Sequence, residues 1–107
     1  IVLGLIRSWY DTLEFMTREP IKAEAIMAER AGITPEELQQ FKTGTKIFTI
    51  ADNLEAFSPG TTMAHLSFAA QKVAQFMFDI GLISEIPDLT QIFDPRFVRA
   101  YAQSLKL

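Results

Sequence analysis

The most strongly punctuated part of the chain is residues 66–105, LSFAAQKVAQFMFDIGLISEIPDLTQIFDPRFVRAYAQSL. Apolar residues recur at three- and four-residue steps and predict a helix from Ser67, its cap, to Ile80. Gly81 supplies the left-handed residue that ends a helix, and we expect Leu82 to fold back in a Schellman closure. The buried face of this helix is predicted to be Ala69, Val73, Phe76, Met77 and Ile80.

The end of the same stretch predicts two further helices. Pro87 and Asp88 indicate the start of a brief helix that ends at Phe93. Asp94 and Pro95 then predict a last helix, because aspartate is favoured at the cap and proline at the first helical position. The residues of this last helix that we expect to face inward are Phe97, Val98, Tyr101 and Leu105.

Three helices are predicted in the first half of the chain. The first spans residues 2–17 and carries one apolar stripe, formed by Leu3, Ile6, Trp9 or Tyr10, Leu13 and Met16. The second begins at Pro20, ends at Gly32 and turns three residues inward, Ala23, Ile26 and Met27. The third begins with a Thr34–Glu37 capping box and ends near Gly44, with two residues buried, Leu38 and Phe41.

Lys46–Ile50 interrupts the helical pattern. Its β-branched and aromatic residues favour an extended segment, which is either a lone connector or a strand that pairs outside these residues. Asp52 then predicts the cap of a short helix over residues 53–57. The fold class expected for the chain is therefore mainly α, with about six helices and one short extended segment.

Composition limits the classes of function. The chain has 107 residues, 49% of them apolar, and we expect 1–107 to form a single helical segment. The net charge of −3 and the scattered basic residues argue against a nucleic-acid partner, which requires a basic face. The absence of cysteine excludes disulfides and thiolate chemistry. No apolar run approaches the roughly 20 residues that span a bilayer.

Few residues are candidates for chemistry. His65 is the only histidine, and we interpret it as a surface or cap-region residue because no metal ligands or nucleophile are arranged around it. The carboxylates occur mostly at predicted helix starts, where the helix dipole favours them; they are Glu36, Glu37, Asp52, Glu55 and Asp94. We therefore expect no catalytic residue, no metal site and no cofactor.

Aromatic residues offer two candidate contact surfaces. Trp9 and Tyr10 suit a sugar or anion contact, but their helical spacing favours a core position for one of them. A cluster of apolar residues could form a groove for a partner helix or an interface left without its partner; it comprises Phe68, Phe76, Met77 and Phe78.

Several short motifs follow one another in an order that a known family carries. They occupy residues 7–13, 19–28, 32–37, 53–57, 69–73, 81–83, 87–89 and 94–98. Together they resemble the C-terminal end of nitrate/sulfonate/taurine-type solute-binding proteins of bacterial ABC importers. Glu19 departs from the family pattern, which usually has asparagine before this proline, and the departure affects helix stability only.

The resemblance implies a two-lobed α/β parent of the type II periplasmic-binding-protein architecture, with these residues as its C-terminal portion. The implied function is capture of a small anionic solute, such as nitrate, a sulfonate or taurine, for an ABC permease. The implied location is periplasmic or extracytoplasmic. No residue of this chain is assigned a ligand contact, so the ligand-binding residues stay unknown.

Two other classes of function are compatible with the residues. One is a stand-alone helical interaction module that uses the phenylalanine-rich face, and the other is a regulatory or biosynthetic protein, including enzymes of thiamine-precursor type, that reuses the same fold.

The opening IVLGLIRSWY has no starting methionine and no cap, which predicts a processed or excised fragment. We expect such a chain to self-associate through its apolar stripes.

Overall fold

The computed structural model describes residues 1–105, and every regular element within them is a helix. The helices are α1 (Val2–Arg18), α2 (Pro20–Ala31), α3 (Pro35–Lys42), α4 (Ile50–Phe57), α5 (Leu66–Asp79) and α6 (Arg96–Ser104). No strand occurs in residues 1–105. The prediction of a mainly α chain with about six helices is therefore confirmed.

The chain divides into two compact units, Ile1–Thr49 with α1 to α3 and Ile50–Leu107 with α4 to α6. In the first unit, α2 packs against both α1 and α3. In the second unit, α4 packs against both α5 and α6. Each unit thus has one helix that contacts the other two.

The helix ends of the first unit agree with their sequence signals. Gly32 adopts φ 71° and ψ 30°, the left-handed conformation expected after α2. Thr34 Oγ1 accepts the Glu37 N–H at 3.1 Å, and Glu37 Oε2 accepts the Thr34 N–H at 2.8 Å. This reciprocal pair is the predicted capping box, and Pro35 follows it as the first residue of α3.

The C-terminal end of α5 is also the one predicted. Gly81 has φ 81°, the Leu82 N–H donates to the Met77 carbonyl at 2.8 Å, and the Gly81 N–H donates to the Phe78 carbonyl at 3.1 Å. These two bonds define the Schellman closure. The start of α5 differs, because His65 is its N-cap and Ser67 lies inside the helix. The prediction of Ser67 as the cap was wrong.

The brief helix predicted from Pro87 to Phe93 does not form. Asp88 Oδ1 instead accepts the Thr90 N–H at 3.0 Å and the Thr90 hydroxyl at 2.7 Å. An aspartate that bonds to the backbone two residues ahead stabilises a turn in competition with a helix. These bonds also lower the pKa of Asp88, the backbone N–H of Thr90 being the main cause.

The last helix starts close to where the sequence indicated. Asp94 Oδ1 accepts the Arg96 N–H at 3.1 Å, as a capping aspartate does, although Pro95 is the residue at the N-cap position of α6. A difference of one residue at a helix end is within the usual ambiguity of helix boundaries. Asp94 therefore stabilises the start of α6 as predicted.

The connector and α4 differ in part from the prediction. Residues 46–49 have no regular secondary structure, whereas Ile50 is already the first residue of α4. Asp52 consequently lies in the first turn of α4 and not ahead of it. Local β-branched content is a weak determinant when the following residues can extend a helix, which explains the earlier start.

The buried core of residues 1–105 consists of small side chains and one tyrosine. The buried residues are Ala23, Ala28, Ala56, Ala74, Tyr101 and Ala102. Alanine at a contact brings two helix axes close together, but it buries little apolar area. Apart from Tyr101, which is buried as predicted, the larger residues of the predicted faces are consequently at most half-buried.

Several predictions of burial were therefore wrong. In α3, Phe41 is 69% exposed, and in α2, Ile26 is 50% exposed. In α1, Leu3 and Trp9 are exposed, whereas the other residues of the predicted stripe are half-buried: Ile6, Tyr10, Leu13 and Met16. In α5 and α6, exposure extends to Val73, Phe76, Ile80, Phe97 and Leu105. Periodicity identified the apolar faces, but it does not show whether a partner covers them.

Candidate functional site

The second unit contains an apolar groove of about 800 Å³. One wall is the face of α5, and the other is the irregular segment 82–93 that follows it. The α5 wall consists of Leu66, Ala69, Ala70, Val73, Ala74 and Met77. The opposite wall consists of Leu82, Ile83, Ser84, Glu85, Pro87, Leu89 and Phe93. We refer to this surface as the α5 groove.

Local structure explains why the second wall returns to α5. The Schellman closure at Gly81 reverses the chain directly after the helix. Asp88 then forms a turn with Thr90, and residues from Leu82 to Phe93 line the groove opposite α5. The sequence predicted a helix end at Gly81 and a helix start at Pro87, but no signal indicated that residues 82–93 would form a wall.

The α5 groove is almost entirely apolar. Ser84 and Glu85 are the only residues with polar side chains among those that line it. Val73 is 51% exposed and Leu82 is 67% exposed, so the groove is open to solvent along one side. A surface with this composition is suited to an apolar helix face, and it contains no set of groups for acid–base or nucleophilic chemistry.

The His65 ring contacts the backbone at the end of α4. Its Nδ1 lies 3.0 Å from the Glu55 carbonyl oxygen, 3.1 Å from the Ser58 carbonyl oxygen and 3.3 Å from Ser58 Oγ. Two carbonyl acceptors place a proton on Nδ1, which therefore donates. The Ser58 hydroxyl donates to the Glu55 carbonyl at 2.6 Å and so is not aligned as a nucleophile. This geometry supports the interpretation of His65 as a cap-region residue.

Three of the candidate carboxylates each lie at the start of a different helix. Glu37 belongs to the capping box of α3, and Asp52 lies in the first turn of α4. Asp94 holds Arg96 through a bidentate contact, with Oδ2 at 2.7 Å from Nη2. The Arg96 side chain, followed by its backbone N–H, lowers the pKa of Asp94 from 3.8 to about 2. These groups stabilise helix starts, as their sequence positions indicated.

Two basic residues of the first unit, Lys42 and Lys46, have local contacts. Lys42 Nζ lies 2.7 Å from Glu24 Oε1 and links α3 to α2. This hydrogen bond is the main cause of the lowered pKa of Glu24. Lys46 Nζ lies 5.3 Å from the ring centroid of Phe48. Neither arrangement resembles the continuous basic face of a nucleic-acid site.

The aromatic candidates belong to the two different units of the chain. Trp9 is 54% exposed on α1, and Tyr10 is half-buried beside it. In α5, Phe76 and Phe78 are 61% and 42% exposed, whereas Met77 between them lines the groove. Phe68 is half-buried. The predicted cluster is thus divided between the groove and the surfaces next to it.

The part of the chain that the structure describes contains no group of three histidine, cysteine, aspartate or glutamate residues that could hold a metal ion. Within the same residues, no helix combines the length and the apolar character that crossing a bilayer requires. Comparison with family models, curated proteins and solved structures finds no match to this chain.

Proposed function

We propose that this chain is the C-terminal helical part of a solute-binding protein that captures a small anionic solute for ABC-type import. The ordered motifs between residues 7 and 98 support the proposal. Among these motifs, Gly32 and Gly81 end helices and Pro35 starts one in the structure, whereas Pro87 starts none.

The observation that supports the proposal most directly is the uncovered apolar surface. Twenty large apolar side chains within residues 1–105 are exposed, whereas Tyr101 is the only large side chain among the buried residues of that range. A self-sufficient domain of this size buries most of its large apolar residues. Helices that cover the body of a larger protein would instead present such faces to it.

In the proposed protein, two lobes close around the solute, and these helices support one lobe from outside. The chain contributes no catalytic group under this proposal; His65, Glu37 and Asp94 are engaged at helix ends. The specific solute contacts belong to other residues of the full-length protein, which would act outside the cytoplasmic membrane together with its permease.

The experiment that tests the proposal is binding calorimetry on the full-length protein encoded by the gene. Nitrate, taurine, an alkanesulfonate and bicarbonate are titrated separately, with acetate as the control anion. We expect saturable binding of one of the first four and none of acetate. Absence of binding by all four, or a reading frame that starts close to Ile1 and encodes no further lobes, would contradict solute capture.

A second candidate function is a helical interaction module, and the α5 groove favours it. The groove is apolar, open along one side and flanked by exposed aromatic residues, which is the arrangement that accepts an amphipathic helix. A short reading frame confined to these residues would favour this candidate over solute capture. A catalytic cysteine or histidine cluster upstream would favour the third class, a biosynthetic enzyme on the same fold.

A further inference from the structure

One face of α5 has the spacing of a helix–helix seam but lacks a partner. Ala69, Val73 and Phe76, together with the C-cap residue Ile80, follow one another at steps of four, three and four residues, the repeat of a coiled-coil core. Val73, Phe76 and Ile80 are nevertheless 51%, 61% and 54% exposed. We call these four residues the α5 seam.

We propose that the α5 seam is the contact between two copies of this chain, with α5 of one copy antiparallel to α5 of the second. The α5 seam of one copy thus packs against the α5 seam of the other, and a twofold axis relates the two copies. Such an isologous contact needs one self-complementary surface and forms a closed dimer. The sizes and the charges of the side chains along α5 both make its surface self-complementary.

The sizes of the seam residues match in the antiparallel register. When Val73 of one helix faces Phe76 of the other, Ala69 faces Ile80 at both ends of the seam. Each layer then pairs a smaller side chain with a larger one, which fills the space between the helices evenly. In a parallel pair each residue would face itself, with two alanines opposite each other in one layer and two phenylalanines in another.

The charges of α5 select the same arrangement. Lys72 and Asp79 are seven residues apart and flank the seam on one side. In the antiparallel register Lys72 of each copy lies beside Asp79 of the other, which gives two ion pairs. In a parallel pair Lys72 would lie beside Met77, and no ion pair would form.

Both charged side chains are accessible for these pairs. Each contacts a neighbour within α5: Lys72 Nζ lies 5.3 Å from the ring centroid of Phe68, and Asp79 Oδ1 accepts from Gln75 Nε2 at 2.7 Å. Lys72 and Asp79 are both exposed. An intermolecular pair therefore requires side-chain rotation and no change in the helix.

The other side of the seam leads into the α5 groove. Ala70 and Met77 flank the seam there and also line the groove. Since Ala70 is small, the second helix can approach closely on this side. Leu82 on the far wall, which is 67% exposed, would then become less exposed to solvent. The apolar contact is thus continuous from the seam to the groove.

The length of α5 limits the strength of this contact. Its 14 residues extend for roughly 21 Å, about two heptads. A contact of this size falls in the weak and concentration-dependent class of interfaces. The proposal does not rest on solute capture, and it concerns the 107-residue chain, in which the α5 seam is exposed; where the body of a larger protein covers this face, the contact does not form.

Sedimentation equilibrium of the 107-residue chain tests the dimer over a wide concentration range. We expect a reversible monomer–dimer equilibrium, and Phe76→Glu should raise the dissociation constant at least about tenfold because it buries a charge in the seam. Phe41→Glu is the matched control: Phe41 is 69% exposed on α3, and its replacement should leave the equilibrium unchanged. Circular dichroism confirms that both variants keep their helices.

A charge exchange tests the antiparallel register. Lys72→Asp and Asp79→Lys should each weaken the dimer about three- to tenfold, because two ion pairs become like-charge contacts. The double variant should restore the wild-type dissociation constant. A monomer at every concentration, equal effects of Phe76→Glu and Phe41→Glu, or no recovery in the double variant would overturn the proposal. Solute titration of the full-length protein is a separate readout, so failure of one proposal is distinguishable from failure of the other.

Discussion

The imidazole ring of His65 occupies the space that a β-carbon at Gly60 would fill. The same ring donates from Nδ1 toward the carbonyl oxygens of Glu55 and Ser58 at the end of α4. Because His65 is also the N-cap residue of α5, one side chain joins the end of α4 to the start of α5. The contact requires glycine at position 60, because a β-carbon there would collide with the His65 ring.

Gly60→Ala should therefore destabilise the second unit by about 1–3 kcal/mol, the usual cost of an added methyl group in a closely packed place. The added carbon would displace the His65 ring and weaken its hydrogen bonds to the backbone. Urea unfolding followed by circular dichroism measures the change. In a His65→Ala background, Gly60→Ala should cost much less, since the ring is gone. Equal costs in both backgrounds would contradict the contact.

Gly81→Ala should destabilise the C-terminal end of α5 by about 1–2 kcal/mol, because Gly81 has φ 81° and an L-residue is strained there. Gly81→Asn should cost less, since asparagine tolerates the left-handed region better. Gly4→Ala serves as the control: Gly4 lies inside α1, a β-carbon there meets nothing within 4 Å, and the change should stabilise by roughly 0.5–1 kcal/mol. Hydrogen exchange of residues near each position measures the effects, and a neutral Gly81→Ala would disprove the strained closure.

Thr34→Ala should destabilise α3 by about 0.5–2 kcal/mol, because it removes the acceptor of the Glu37 N–H and half of the capping box. Thr12→Ala is the control, since the Thr12 hydroxyl donates to the Ser8 carbonyl inside α1 and caps no helix end. We expect the Thr12 variant to change stability by no more than about 0.5 kcal/mol. Amide exchange in residues 35–42 distinguishes the two, and equal loss of protection would contradict the capping role.

Acid should weaken the start of α6. Arg96 lowers the pKa of Asp94 from 3.8 to about 2, so the folded state favours the ionised carboxylate. The stabilisation is complete above pH 3.8 and is lost as the pH falls toward 2, when the carboxyl becomes protonated. Carbon-detected NMR titration of Asp94 measures the midpoint.

Two substitutions test whether the contact with Arg96 is the cause of the lowered pKa of Asp94. Arg96→Gln should return its pKa toward 3.8, because the side-chain contact that lowers it is gone. Arg99→Gln in the same helix should leave the midpoint near 2, since Arg99 is not among the groups that shift it. A midpoint that responds equally to both substitutions would show that general positive charge, and not the Arg96 contact, is the cause.

Much of the local structure could be predicted from the sequence. The Thr34 capping box, the glycine stops and the start of α6 depend on hydrogen bonds between residues at most five apart, so nearby sequence suffices. The errors at Ser67 and at residues 87–93 arose where two local arrangements compete. At Asp88 the turn with Thr90 prevailed over a helix start.

The candidate surfaces were less predictable. Periodicity identified Val73, Phe76 and Ile80 as one apolar face, but their exposure depends on what lies opposite, and nothing in the spacing records that. The second wall of the α5 groove and the contact between Gly60 and His65 join residues that carry no shared motif. Sequence patterns report such contacts only indirectly.

Residue type and short-range bonding are enough to predict the helical class, most of the helix ends and the absence of cysteine chemistry. Three features become visible only when the chain is folded: the buried contacts are mostly alanines, residues 82–93 return to α5, and His65 closes over Gly60. These features could not be predicted because burial is a property of two surfaces together. A single helix specifies its apolar face, and packing determines which part of that face leaves the solvent.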